Sequence, residues 1–226
     1  MAVKKVIIHL GMAKTGSASI QYSLFSNSAI LEKNGFRYLT EWGRNQLNIF
    51  RYLFSPYPVD PVGSEHLGKP FPRIKRKNKN SIKKMLNVIK TTNCETLILS
   101  GEYFDELWLD STIRNIKTFI QNYFQNNGIE ATIIYFIRNP LTWLISSLQQ
   151  QTFAKGYLNK NVDYFENRMK QYEGVMNLKK HFSNSLKLLK FEDTCLNDDG
   201  LVGCFLKTIG FPEEELKSIN IIRKND

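Results

Sequence analysis

Four short runs rich in β-branched and aliphatic residues limit what this chain can become. They are VKKVIIHL at 3–10, ETLILS at 95–100, IEATIIYFIR at 129–138 and SLKLLKFED at 185–193. Short apolar runs of this kind suit strands buried on both faces. Helical patterns stand between them. STIRNIKTFIQNYFQNNG is amphipathic, with Ile113, Ile116, Ile120 and Phe124 on one stripe, Ser111 as its expected cap and Gly128 as its stop. Residues 16–33 place Ile20, Leu24, Ile30 and Leu31 at helical spacing, with a break near Asn27 and an end at the Asn-Gly-Phe of 34–36. IKKMLNVIKTT reads as a further helix, and Asn139-Pro140 opens another, with Asn as cap and Pro in the first position. Strands alternating with helices build right-handed βαβ units. The expected fold is therefore α/β: three layers, a central parallel sheet flanked by helices, in a single domain over 1–226.

One segment departs from this rhythm. SPYPVDPVGSEHLGKPFP at 55–72 holds five of the seven prolines, so an irregular insertion is expected around 50–80. Such insertions often carry specificity. Trp42, Tyr52, Phe54 and Tyr57 are candidates to stack on a ring-shaped ligand or to join the core. The net charge is +10, and RIKRKNKNSIKK at 73–84 supplies seven of those charges with no acid, leaving +3 for the rest. This run reads either as a solvated loop leading into a helix or as a docking surface for an acidic glycan or lipid headgroup. It lacks the aromatic interleaving of a nucleic-acid site, so no nucleic-acid partner is expected. Cys94, Cys195 and Cys204 fit neither a disulfide framework nor metal-ligand spacing. They imply reduced thiols and a cytoplasmic location. The apolar run at the N-terminus is too short for a signal peptide, and no stretch has the length of a membrane span.

The chemistry concentrates in two places. The first strand leads into HLGMAKTGSASIQ, which carries Gly11, Lys14, Thr15, Gly16, Ser17, Ala18 and Ser19. A glycine loop ahead of a helix offers free N–H groups and a positive dipole end to an anion. A nucleotide-triphosphate loop of the form G-x-x-x-x-G-K-[ST] would place its lysine after the second glycine. Here the lysine precedes Gly16. The loop is either a phosphate cradle of another kind or a tight strand-to-helix turn with an incidental lysine. The second place is YFIRNPLTWLISSLQQ. Arg138 ends a strand, at the sheet edge where open α/β folds bind ligands. Ser146 follows eight residues later, about two turns into the next helix, beside an expected apolar stripe of Leu141, Leu144, Ile145 and Leu148. A strand-capping arginine and a packed serine are the plain alternative.

Taken together, MAKTGSAS and RNPLTWLIS resemble the two donor-binding motifs of sulfotransferases that use 3′-phosphoadenosine-5′-phosphosulfate (PAPS). KFED followed by FLKTIGF also looks like that family, with the flavour of bacterial carbohydrate-type enzymes. The resemblance implies a P-loop-like sulfotransferase fold and PAPS as cofactor, with no metal. It implies that Lys14 contacts the bridging oxygen and the transferring group. Thr15, Gly16, Ser17, Ala18 and Ser19 then line the 5′-phosphate, and Arg138 and Ser146 hold the 3′-phosphate. Arg223 and Lys224 fall where the family has a late Arg-Lys-Gly loop, with Asn225 in place of glycine. Ala18 stands where a hydroxyl is common, so one contact to the 5′-phosphate is missing.

Transfer to a hydroxyl calls for a base. Glu102, just past the second strand, is the leading candidate, its alternative being an acid favoured by a helix dipole. His9 and His66 are weaker candidates, and His181 reads as a helix-surface residue. KFED at 190–193 is expected to be a structural strand end, the alternative for Glu192 being to orient its neighbours. The expected activity is sulfuryl transfer from PAPS to a hydroxyl of a carbohydrate or glycolipid. The rivals are a phosphate-loop kinase using ATP and a catalytically weak binding module of the same fold.

Overall fold

In the computed structural model, which describes residues 2–54, 71–102, 107, 109–155, 162–196 and 198–223, five strands pair in parallel. They are β1 (Lys5–Leu10), β2 (Phe36–Tyr38), β3 (Thr96–Gly101), β4 (Glu130–Ile137) and β5 (Leu186–Lys190), in the order β2-β3-β1-β4-β5. The helices are α1 (Ser17–Ser26), α2 (Ser28–Lys33), α3 (Leu47–Phe54), α4 (Phe71–Thr91), α5 (Asp110–Tyr123), α6 (Pro140–Lys155), α7 (Val162–Phe182), α8 (Phe191–Cys195) and α9 (Gly200–Ile209).

Side-chain alternation divides the core in two. Val6, Ile8, Leu10, Leu97, Leu99, Ile133 and Tyr135 face one side, beneath α3 to α7. Ile7, Ile98, Ile134 and Phe136 face the other, beneath α1, α2 and α9. That is the expected three-layer arrangement. The break at Asn27 is also where expected, between α1 and α2. Asn139 caps α6 as expected, its Oδ1 accepting from Leu141 N at 2.9 Å.

Several expectations need correction. β2 was unforeseen, because three residues are too few to display a period and the strand exists through its pairing with β3. The basic run 73–84 lies in α4, which starts at Phe71, so helix replaces the expected loop there. Residues 55–70 lie outside the described residues. KFED is no strand end: β5 stops at Lys190 and Phe191 begins α8. α5 opens at Asp110 behind Leu109, with no side-chain cap from Ser111.

The stripe on α6 is also rotated from its expected position. Leu141 is 65 % exposed and Ile145 48 %, while Trp143 (1 %) and Ser147 (6 %) are buried. Burying an indole removes about 150–250 Å² from water, more than either aliphatic side chain offers. Trp143 therefore turns inward, edge-on to Tyr172 at a centroid distance of 6.5 Å. This rotation leaves Ser146 on the flank, facing the site described next.

Candidate active site

Strand register sets the geometry. Leu10 pairs with both Gly101 and Tyr135, and Ile137 pairs with Lys190. Gly11 and Glu102 thus leave the sheet side by side, and Arg138 leaves beside Phe191. These are the carboxyl ends of the strands, where the strand order reverses around β1. Above them lies a cavity of about 570 Å³.

The loop after β1 is closed by its own hydroxyls. Thr15 Oγ1 donates to Met12 O at 2.7 Å, and Ser17 Oγ donates more weakly to the same oxygen at 3.4 Å. A Cβ on Gly11 would overlap the Ser17 hydroxyl, so only glycine lets the strand pass this close to α1. Gly16, at φ 69°, precedes the first helical residue and lies under Leu201. Lys14 has φ 63°, the one non-glycine residue with positive φ among those described. A side chain in this region costs about 1–2 kcal/mol, and such outliers cluster where a ligand is gripped. A helix cannot satisfy the N–H groups of its own first turn. In α1 that turn, Ser17 to Ser19, lines the cavity together with Lys14 and Gly16.

Arg138 fastens the loop from across the sheet. Its Nη1 donates to Lys14 O at 2.6 Å, and its guanidinium lies 4.8 Å from the centre of the Phe191 ring. Its Nε donates to Thr142 Oγ1 at 3.3 Å. Glu192 Oε1 accepts from Asn139 N at 3.0 Å and from Thr142 Oγ1 at 2.8 Å. Burial pushes the Glu192 carboxyl up, but these two hydrogen bonds and the Arg138 charge outweigh it and hold it below the usual carboxylate range. Tyr172 Oη donates to Arg138 O at 3.0 Å. Burial and the Glu192 charge push that phenol up to about 12, so it remains a donor.

Lys14 is half-buried. Burial and the Arg138 charge push its ammonium below the usual range, while Glu102 pulls it back up. Glu102 itself is half-buried and lines the cavity.

The sequence-derived residues converge with few exceptions. Lys14, Gly16, Ser17, Ala18, Ser19, Glu102, Arg138, Ser146 and Arg223 all line the one cavity. Thr15 sits beneath it, fully buried, with its hydroxyl turned into the loop. Lys224, His66 and Tyr57 lie outside the described residues, as does the Tyr52 side chain. Trp42 and Phe54 are core, so neither is a stacking platform. His9 is no base. Its ring is fully buried between Phe136 and Phe205, its Nδ1 lies 2.8 Å from Ser100 Oγ, and burial lowers its pKa to about 3. His181 stands in the last turn of α7.

Sequence reasoning missed the wall opposite α1. Phe191, Leu201, Ile219 and Ile221 supply its apolar part. Leu201 and Ile219 are ordinary helix and chain-end residues with nothing local to mark them. The C-terminal segment reaches the cavity because Asn27 holds it. Asn27 Nδ2 donates to Asn220 O at 2.8 Å and to Ser23 O at 2.7 Å, and its Oδ1 accepts from Asn220 N at 2.9 Å. Ile222 N donates to Ser23 Oγ at 2.9 Å. The sequence marked Asn27 as a break but gave no sign of this clasp.

Compared with solved structures, the chain has a sulfotransferase-like fold. A sulfotransferase from Alicyclobacillus acidocaldarius superposes with a TM-score of 0.57 over 99% of this chain and 87% of that one, at 12% identity. A sulfotransferase domain from the curacin biosynthetic pathway aligns over 95% of this chain and 77% of that one, at 14% identity and a TM-score of 0.48. No family model matches the sequence, and neither does any curated protein. The likeness to the first of these structures is one of architecture.

Proposed function

We propose that the protein is a sulfotransferase that moves a sulfuryl group from PAPS to a hydroxyl of a carbohydrate or glycolipid. The observation that carries this reading is convergence: the first turn of α1, Lys14, Arg138 and Glu102 meet in one cavity at the sheet edge. Two cations and a helix N-terminus suit a donor with two separate anionic groups. A lysine ahead of the second glycine, with no Gly-Lys-Ser/Thr, does not suit an ATP loop.

PAPS supplies the activated sulfuryl group, and the residues of the chain position it and neutralise charge. The N–H groups of the first turn of α1 bind the 5′-phosphate, together with the Ser17 and Ser19 side chains. Ala18 contributes backbone only. Lys14 places its ammonium where the leaving phosphate gathers charge, and its half-buried setting strengthens that interaction. Arg138, Ser146 and Arg223 hold the 3′-phosphate. Glu102 accepts the proton of the acceptor hydroxyl as the new oxygen–sulfur bond forms and the bond to the phosphate oxygen breaks. Transfers of this kind depend on in-line positioning and charge stabilisation rather than on a covalent intermediate.

We place the activity in the cytoplasm on the strength of the unpaired thiols, one of which, Cys195, is exposed. Among the described residues no helix is long and apolar enough to cross a membrane. Lys79, Lys83 and Lys84 are exposed on α4, a face suited to an acidic acceptor or surface.

Calorimetric titration with the desulfonated product, 3′,5′-bisphosphoadenosine, tests the reading. Micromolar binding by the folded protein is expected, and its absence overturns the proposal. Glu102→Gln should leave that binding intact and lower kcat about 100-fold or more. Unchanged turnover would remove Glu102 as the base.

A further inference from the structure

We propose that Glu192 is a positioning residue for Arg138, acting through the Thr142 hydroxyl, and that this relay sets how tightly the site grips the donor's 3′-phosphate. The proposal rests on the assignment of Arg138 to that phosphate.

The relay is chemically consistent at each link. A threonine hydroxyl donates one hydrogen bond and accepts others. Thr142 Oγ1 accepts from Arg138 Nε at 3.3 Å and donates its one proton to Glu192 Oε1 at 2.8 Å, the nearer of two acceptors, Asn139 O standing at 3.1 Å. The negative charge thus reaches the guanidinium through an oriented dipole rather than by direct pairing. Direct pairing would place a carboxylate in competition with the phosphate for the same edge. Instead the Nε edge faces Thr142, Nη1 reaches the Lys14 carbonyl, and one face rests on Phe191. A guanidinium has five N–H donors, and these two hydrogen bonds engage two of them. Arg138 also lines the cavity, so its geometry is set before a ligand arrives.

Glu192 makes a second contact that a surface acid would not need. It accepts from Asn139 N, the amide between Arg138 and the first residue of α6. One carboxylate oxygen therefore fixes both the arginine and the start of the helix that carries Ser146. Arg138 and Ser146 are the pair assigned to the 3′-phosphate, and Glu192 ties their common frame to α8. Residues behind a binding group, holding its orientation, commonly affect affinity without touching the ligand.

The test needs no acceptor. Affinities for 3′,5′-bisphosphoadenosine and for 5′-AMP, which lacks the 3′-phosphate, are measured by calorimetry. The proteins are the wild type, Arg138→Ala, Glu192→Ala, Glu192→Gln and Thr142→Val. Wild type should prefer the bisphosphate, and Arg138→Ala should lose the preference. Glu192→Ala and Thr142→Val should narrow it about fivefold to tenfold, with 5′-AMP binding held within about twofold. Glu192→Gln, which keeps an accepting oxygen, should retain the preference to within about threefold. Should Glu192→Ala fail to fold, Thr142→Val carries the same comparison. A preference lost in Arg138→Ala but kept in both relay variants overturns the relay alone. Equal weakening of both nucleotides also overturns it, since that is general damage. A wild type that binds both nucleotides equally overturns the 3′-phosphate assignment, and the relay with it.

Discussion

At the scale of single residues, Lys14 combines two properties that usually conflict. It brings a charged side chain to the cavity, and it sits at φ 63°, where a side chain is disfavoured. The two separate experimentally. Both Lys14→Gly and Lys14→Ala remove the charge and should abolish transfer. Only glycine relieves the backbone, so Lys14→Gly should be more stable than Lys14→Ala by about 1 kcal/mol in denaturant titration. The opposite order would contradict the left-handed conformation.

His9 makes the complementary point. It lies one residue before the end of β1, yet it is sealed between aromatic rings and belongs to the core. Its pKa falls from 6.5 to about 3 because burial disfavours the imidazolium. The unfolded chain therefore takes up a proton that the folded one refuses. Stability from this site is complete above pH 6.5 and is lost as the pH falls from there toward about 3. Thermal unfolding between neutral and mildly acidic pH should show this loss, and His9→Asn should flatten the profile. A wild-type midpoint that does not fall across that window would argue against a neutral, buried His9.

At the scale of elements, the site depends on junctions rather than on strands or helices themselves. The N-terminus of α1 meets the cavity because Gly11 lets the chain turn tightly against Ser17. Arg138 meets it because β4 runs beyond its pairing with β1. The C-terminal segment meets it because Asn27 binds both sides of the Asn220 peptide unit. Asn27→Ala should cost about 2–3 kcal/mol, since it removes several buried hydrogen bonds and leaves their backbone partners unpaired. Limited proteolysis should then cut the C-terminal segment faster, and bisphosphate binding should weaken through Arg223. If the C-terminus stays as resistant as in the wild type, the clasp does not hold it.

Elements also show where local patterns lose to packing. The aliphatic residues of α6 are spaced well for a buried stripe, yet Leu141 and Ile145 are exposed. The burial of Trp143 sets the rotation of the helix. β2 has too few residues to signal itself and forms because β3 offers an open edge. KFED ends as a helical turn because the chain leaves the sheet at Lys190. That turn brings Glu192 to the amide of Asn139 and to Thr142.

At the scale of the whole molecule, the cavity joins parts far apart in sequence: the loop after β1, the ends of β3 and β4, α8 and α9, and the C-terminal segment. A ligand bridging them should stabilise the fold as a unit. At a bisphosphate concentration 100-fold above its Kd, stability should rise by about 2.7 kcal/mol. Added salt should shrink that gain, because the attraction between the open cavity and an anion is screened. A salt-independent shift would contradict binding dominated by charge, and no shift at all would contradict the proposed ligand.

Much of the strand and helix pattern was readable from the linear chain. Apolar runs marked four of the five strands, because a buried strand must be apolar whatever surrounds it. The glycine loop and Arg138 stood out by their place at strand ends, Glu102 as an acid just past a strand, and Ser146 by the resemblance to sulfotransferase motifs; the fold brings all of them to one cavity. What the residues could not announce was everything set by contact between distant segments. The rotation of α6, the edge strand β2, the Asn27 clasp and the partners of Glu192 each arise from contacts between residues about 50 to 200 positions apart or from the competition of side chains for one volume, and such choices are made only when the layers pack.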